Sequence, residues 1–384
     1  MLIVVNTRLL IPDRLDGIGR FTYETFSRIT QDQPDHHFVF LFDRPIDSSF
    51  IFSENITPVK LFPPARRTWL FKIWFEYSVT KLLRDFKADL FVSPDGFLSL
   101  KTDVPSLPVI HDLNFEHYPQ DLPPKITDYY RTYFPQFARK AKRIATVSEF
   151  SKNDIVTRYK INPDEIDVVY NGASEGFVPA DAETITAVRK KYSAGKPYFL
   201  FVGGLHPRKN IVRLLQAYEL FRKTNDSQTQ LVIVGQPYWK GKGFDLTQTL
   251  QQMQFRADVH FTGRVPQDEL YRIMGSAHAL TYVPYFEGFG IPIVEAMQCD
   301  VPVITSNVTS MPEIGGDAVL QVDPFEVSSI AGGMQALDND PLLRASLLAK
   351  AKQQREKFSW DKSADLLWQS MMRCGVVTEE TNSN

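Results

Sequence analysis

The feature that most constrains this chain is a repeated pattern of short, continuous apolar runs separated by helical stretches. Leu2–Val5, Phe38–Phe42, Leu90–Val92, Val109–Ile110, Arg143–Val147 and Val168–Val169 form one series. Tyr198–Val202, Leu231–Val234, Val259–Phe261, Ala279–Val283, Val301–Thr305 and Val319–Val322 form a second. Strands without polar alternation are buried on both faces, which calls for parallel sheets covered by crossover helices, an α/β fold. There are too many strands for one sheet of usual size, so two Rossmann-like halves are expected. The pattern lapses at Gly172, Gly176, Pro179, Gly195 and Pro197. The expected division is a first domain at 1–172, a linker at 173–196 and a second domain at 197–357. A final helical pattern runs from Trp360 to Met372 after a capping Ser359, and a flexible polar tail is expected at 375–384.

Composition narrows the function classes. A formal net charge of −2 gives no argument for a nucleic-acid partner. The two cysteines, Cys299 and Cys374, suggest a reducing compartment, and no zinc-type spacing is present. The start resembles no secretory leader, and no apolar stretch is long enough to span a bilayer. The expected location is the cytoplasm. Residues 66–87 interleave Arg66, Arg67, Lys72, Lys81, Arg84 and Lys87 with Trp69, Phe71, Trp74, Phe75 and Tyr77. Such a segment is a candidate for peripheral contact at an inner membrane face; it could equally bury its aromatics and leave its cations solvated.

Residues 284–297, Pro-Tyr-Phe-Glu-Gly-Phe-Gly-Ile-Pro-Ile-Val-Glu-Ala-Met, read as a strand end, a glycine loop and a helix beginning near Ile291. The helix N-terminus suits a phosphate, and Gly288 and Gly290 allow close approach. Carboxylates at Glu287 and Glu295 would repel phosphate but accept hydrogen bonds from sugar and ribose hydroxyls. The combination points to a nucleotide-sugar pocket. The plain alternative is an amphipathic helix with Glu295 on a solvated face. Gly203-Gly204 followed by Arg208 and Lys209 suits a diphosphate, through a guanidinium fork and a mobile ammonium; two solvated loop cations are the alternative. His111-Asp112 follows an apparent strand, where open α/β sheets bind ligands. Gly17-Ile18-Gly19 opens a helix and could admit a ligand or serve as a packing turn. Ser148 or Ser151 is expected to cap a helix.

With Gly203–Asn210, Ile110–Leu113, Val147–Ser151 and Asn171-Gly172, the Glu287–Met297 motif is similar to the landmarks of family 4 of the retaining glycosyltransferases. The resemblance runs from Leu2 to about Trp368. It implies a GT-B fold, with two Rossmann-like domains facing across a cleft and the last helix (about 358–374) crossing back to the first. It implies Glu287, Arg208, Lys209 and His111 as the catalytic set. Gly204, Arg264, Val265, Gly288, Phe289, Gly290, Ile291 and Glu295 would bind the donor, with Arg264 and Val265 near the nucleobase. Gly17, Gly19 and Asp112 would line the acceptor side. It further implies retention of anomeric configuration, a diphosphate oxygen taking the acceptor proton, and no metal or other cofactor. Asp338-Asn339-Asp340 matches a metal motif superficially and is expected to be a loop. Family members commonly have glycine where Asp300 stands. The stretches around His111 and Gly203 look most like bacterial mannosyltransferases of surface polysaccharide assembly. The expected donor is therefore GDP-mannose, and the expected acceptor a saccharide or lipid-linked saccharide. A UDP-sugar-dependent transferase, a nucleotide-sugar epimerase and a non-catalytic sugar-nucleotide binder are the alternatives.

Overall fold

The computed structural model describes residues 1–12, 14–236 and 246–375. Beyond Gly375, the tail expected at 375–384 lies outside the described residues. The chain divides into two compact units, Met1–Asn171 with Trp360–Asn384, and Gly172–Ser359.

In the first unit the strands are β1 (Leu2–Asn6), β2 (His37–Phe42), β3 (Ile56–Lys60), β4 (Leu90–Ser93), β5 (Ser106–Pro108), β6 (Ile144–Thr146) and β7 (Ile166–Val168). They form a parallel sheet in the order β3-β2-β1-β4-β5, and the β6–β7 pair joins it through a bridge from Val109 to Ala145. Ile3, Val4, Val5 and Phe38 to Leu41 are fully buried, as apolar runs covered on both faces must be.

Two strands depart from the sequence reading. β3 was not among the runs read from the sequence; it contains Pro58, and proline cannot donate to a ladder. The structure resolves this by placing β3 at the sheet edge, with Pro58 opposite Phe40. β5 lies at Ser106–Pro108, one step before the apolar pair Val109–Ile110.

In the second unit the strands are β8 (Tyr198–Val202), β9 (Gln230–Val234), β10 (Val259–Gly263), β11 (Ala279–Tyr282), β12 (Val303–Ser306) and β13 (Leu320–Val322), in the parallel order β10-β9-β8-β11-β12-β13. Each sheet therefore reverses strand direction of growth at one place, between β1 and β4 in the first unit and between β8 and β11 in the second. Ligands of doubly wound sheets sit beyond the strand ends at such points.

Residues 173–196, expected as a linker, carry the helix Ala182–Tyr192, capped by Asp181 accepting from Thr184 N at 2.7 Å. Tyr192 donates to Glu269 on the helix Gln267–Gly275 at 2.7 Å, so this stretch packs as part of the second unit. The helix Trp360–Gly375 belongs to the first unit. Arg28 reaches Asp361 at 2.5 Å, and Ser370 donates to Asp167 at 2.6 Å, where Arg143 also binds.

Candidate active site

The second unit brings the strongest sequence candidates together. After β8 the chain turns at Gly203, against which the end of β9 presses closely. A Cβ on Gly235, at φ +152°, would lie 1.9 Å from the Gly203 carbonyl oxygen, so only glycine fits there. A single helical turn, Pro207–Lys209, follows. Asn210, at φ 65°, then donates to the carbonyls of Val283 at 3.0 Å and Pro324 at 2.7 Å. Tyr285 N donates to the Arg208 carbonyl at 3.0 Å. The loop after β8 is thus fastened to the loop after β11, across the switch point.

Arg208 and Lys209 are not solvated loop cations. Arg208 Nη1 lies 2.7 Å from Glu287 Oε2, and Lys209 Nζ contacts the same oxygen and the Tyr282 hydroxyl. Tyr282 donates to Glu287 Oε2 at 2.8 Å. The side chains of Arg208, Lys209 and Glu287 are 22%, 14% and 12% exposed. Burial alone would raise the Glu287 pKa; the charges of Arg208 and Lys209 overcome it and hold the carboxyl at about 2. Burial, then the Glu287 charge, pushes the Tyr282 hydroxyl well above its ordinary range, so it stays a donor. Tyr282 was missed from sequence, because an inward tyrosine on a buried strand reads as core.

The glycine loop ends at Gly290, at φ +95°, which caps the helix Ile291–Gln298 with Pro292 in its first turn. Ile291 is its first residue. Glu295 is partly buried one turn in, and its charge is felt at Tyr282 and Cys299. The Cys299 thiol is pushed up to about 12, by burial first and Glu295 second. Gly288 is buried and Gly204 exposed. The Phe289 ring is buried, edge-on to Phe358 at 5.6 Å. Asp300 sits at φ 51°, the left-handed conformation that favours glycine, and accepts from Arg355 at 2.8 Å. Arg264 and Val265 follow β10, two strand spacings or about 10 Å from β8.

In the first unit, His111 Nε2 donates to the Pro94 carbonyl at 2.9 Å, which leaves Nδ1 as the acceptor of a neutral ring. Burial lowers the His111 pKa, against the pull of the Asp112 charge. Asp112 accepts from Asn114 N at 2.9 Å and organises the turn after His111. Gly17 is exposed with open space around it, whereas a Cβ on Gly19 would meet the Leu9 carbonyl oxygen at 2.7 Å. Gly19 is therefore a packing glycine. Ser148 accepts from Ser151 N at 3.1 Å as the expected cap.

Arg8 is a buried cation that the sequence reading did not single out. It follows β1, lies 2.5 Å from Asp95, and stands over the Phe71 and Phe97 rings at 4.9 and 4.7 Å. Asn6 donates to the same Asp95 at 2.8 Å.

Residues 66–87 bury some of their aromatics and expose others. The helix Thr68–Ile73 continues through a π-helical stretch, Trp74–Val79, into Thr80–Asp85. Trp74 and Phe75 are buried, while Trp69 and Tyr77 are each 59% exposed. Phe62 and Phe86 are exposed nearby, with Lys60 over Phe62 and Lys101 over Tyr77. Among the described residues no helix is long and apolar enough to cross a membrane. Among them, too, no three His, Cys, Asp or Glu side chains form a metal-holding group. Asp340 caps the helix Pro341–Gln354, and Asp338 accepts from Thr229 at 2.7 Å.

Residues 184–354 match the family model described as Glycosyl transferases group 1, and residues 15–175 match that of Glycosyltransferase Family 4. The O-antigen chain mannosyltransferase B of Escherichia coli is 30% identical over 307 residues, 80% of this chain and 77% of the relative. The crystal structure of WaaG, a glycosyltransferase involved in lipopolysaccharide biosynthesis, aligns with a TM-score of 0.75 at 17% identity, covering 95% of this chain and 99% of the other. Anabaena HepE in complex with UDP and glucose aligns with a TM-score of 0.76 at 16% identity, covering 96% and 99%. The chain belongs to the family 4 glycosyltransferases: it is a hexosyltransferase of the GT-B fold.

Proposed function

We propose that the protein transfers mannose from GDP-mannose to a saccharide or lipid-linked saccharide during assembly of a cell-surface polysaccharide, with retention of configuration. The observation that carries this reading is the convergence of Arg208, Lys209 and Tyr282 on Glu287, beside the N-terminus of the helix Ile291–Gln298. Departure of a nucleoside diphosphate places growing negative charge on the leaving oxygens. Arg208, Lys209 and the helix N-terminus would stabilise it, each preorganised donor contributing about 3–4 kcal/mol to the transition state. Gly204, Gly288, Gly290 and Ile291 would supply close backbone approach, Glu295 would hold the ribose hydroxyls, and Arg264 and Val265 would lie near the base. Glu287 would accept from the hexose hydroxyls. In retention the acceptor oxygen bonds the anomeric carbon on the face the diphosphate leaves, and a diphosphate oxygen takes the acceptor proton. Neutral His111, with Nδ1 as acceptor, would orient a hydroxyl from the first unit beside Gly17 and Asp112. No metal or cofactor is assigned a step.

The choice of mannose follows the relative's name, and the exposed aromatics and cations of 66–87 support peripheral attachment to the cytoplasmic face of an anionic membrane. The second reading keeps the site and takes a UDP-sugar; it is favoured by the likeness to HepE with UDP and glucose. Thermal stabilisation by a panel of GDP- and UDP-sugars, with the free diphosphates as controls, separates the two. A response to GDP-mannose and GDP but not to UDP is expected. A response to UDP alone transfers the assignment to the second reading, and a response to none overturns the donor site.

A further inference from the structure

All three polar contacts described for the Glu287 carboxylate fall on one oxygen, Oε2: Arg208 Nη1 at 2.7 Å, Lys209 Nζ, and the Tyr282 hydroxyl at 2.8 Å. Two of these partners are the cations proposed above to hold the donor diphosphate. A diphosphate offers more charge and more oxygens than a carboxylate, so it competes for both cations. Once they turn to it, Glu287 is left largely buried, and a buried carboxylate without donors gives up its charge by taking a proton.

Tyr282 cannot follow the cations. It lies on β11, is 1% exposed, and its ring stacks on Phe201 with centroids 6.0 Å apart. Arg208 and Lys209 reach Glu287 on long flexible stems from a single helical turn. We propose that Tyr282 is a positioning residue: its hydroxyl keeps Glu287 ionised and aimed while the donor diphosphate draws Arg208 and Lys209 away. Capture of the leaving group and reading of the sugar are then coupled through one carboxylate. Glu287 Oε1, which takes none of the three contacts, is the oxygen presented to a hexose hydroxyl. This inference rests on the donor-site reading and adds to it a residue and an exchange of partners.

The test is calorimetric titration of the full chain with GDP, UDP, GDP-mannose and UDP-glucose, comparing the unmodified protein with Tyr282→Phe and Glu287→Gln. Tyr282→Phe keeps the ring and its stack. It is expected to bind the free diphosphate within about twofold of the unmodified protein and the matching sugar nucleotide about tenfold more weakly, the loss of one hydrogen bond to a charged group. That sugar-dependent loss should grow as pH falls, because Glu287 has lost a donor to its charged form. Glu287→Gln is expected to bind the free diphosphate several-fold more tightly, since both cations are released, and to discriminate poorly between it and the sugar nucleotide. Equal, pH-independent weakening of both ligands by Tyr282→Phe overturns the positioning role. Should Tyr282→Phe fail to fold, diphosphate binding by Glu287→Gln decides: unchanged or weaker binding overturns the exchange, and tighter binding supports it. Failure of GDP and UDP alike to bind the unmodified protein overturns the donor-site reading, and this inference with it.

Discussion

The Glu287 carboxyl links stability to pH. Its pKa is about 2 in the folded chain against an ordinary 4.5, so the folded state prefers the ionised form. The stability this contributes is fully present above pH 4.5 and is lost as pH falls towards 2. Glu287→Gln should therefore flatten the acid limb of the unfolding curve, as measured by denaturant titration at a series of pH values. His111 acts in the same direction at higher pH: burial lowers its pKa, so stability should rise as pH climbs towards the ordinary imidazole range. Removing a leaving-group donor through Lys209→Ala should lower the transfer rate by about 10²–10³-fold in a donor-turnover assay. Asp300 offers a control away from chemistry. At φ 51° alanine carries the left-handed strain without the bond to Arg355, so Asp300→Ala should lower the melting temperature more than Asp300→Gly. The glutamates, the two cations and the glycine at 290 were legible because motif spacing alone puts them at strand ends and a helix start. Tyr282 was not, since its contact with Glu287 arises from what the fold places opposite it. The burial of the Phe289 ring was not legible for the same reason: its place in the motif says nothing about which way the ring turns.

Elements were legible where one physical signal dominated. The runs at β1, β2, β8 and β9 (Leu2–Val5, Phe38–Phe42, Tyr198–Val202 and Leu231–Val234) are continuously apolar, and burial on both faces follows directly. β3 escaped notice because its weak pattern, Ile-Thr-Pro-Val-Lys, is what an edge strand tolerates and an interior strand does not. Residues 66–87 allowed two readings at once, and the structure buries Trp74 and Phe75 while leaving Trp69 and Tyr77 exposed. Trp74→Ala, which empties a fully buried site, should cost about 3–5 kcal/mol of stability in denaturant unfolding. Trp69→Ser with Tyr77→Ser should leave stability nearly unchanged and reduce co-sedimentation with phosphatidylglycerol vesicles, with little effect on the weak binding to phosphatidylcholine. Equal co-sedimentation of the double variant would remove the membrane assignment and leave the enzyme reading intact.

At the scale of the whole molecule, the second unit is one continuous stretch, Gly172–Ser359, and the first is not. Its last piece, the helix Trp360–Gly375, buries Trp360, Ala364, Leu367 and Met371 and is anchored through Asp167. A chain ending at Ser359 should lose much of the first unit's stability and keep that of the second, seen in calorimetry as one transition moving down and one staying in place. The same arrangement inverts the order of completion during synthesis. Asn171 leaves the ribosome about 200 residues ahead of Gly375, a lag of about 10–40 s at ordinary translation speed. Throughout that interval the half made first has an open apolar face awaiting its final helix, and the half made second gains its last residue, Ser359, before that helix is made. A nascent chain of this protein therefore presents to chaperones its oldest residues for longest.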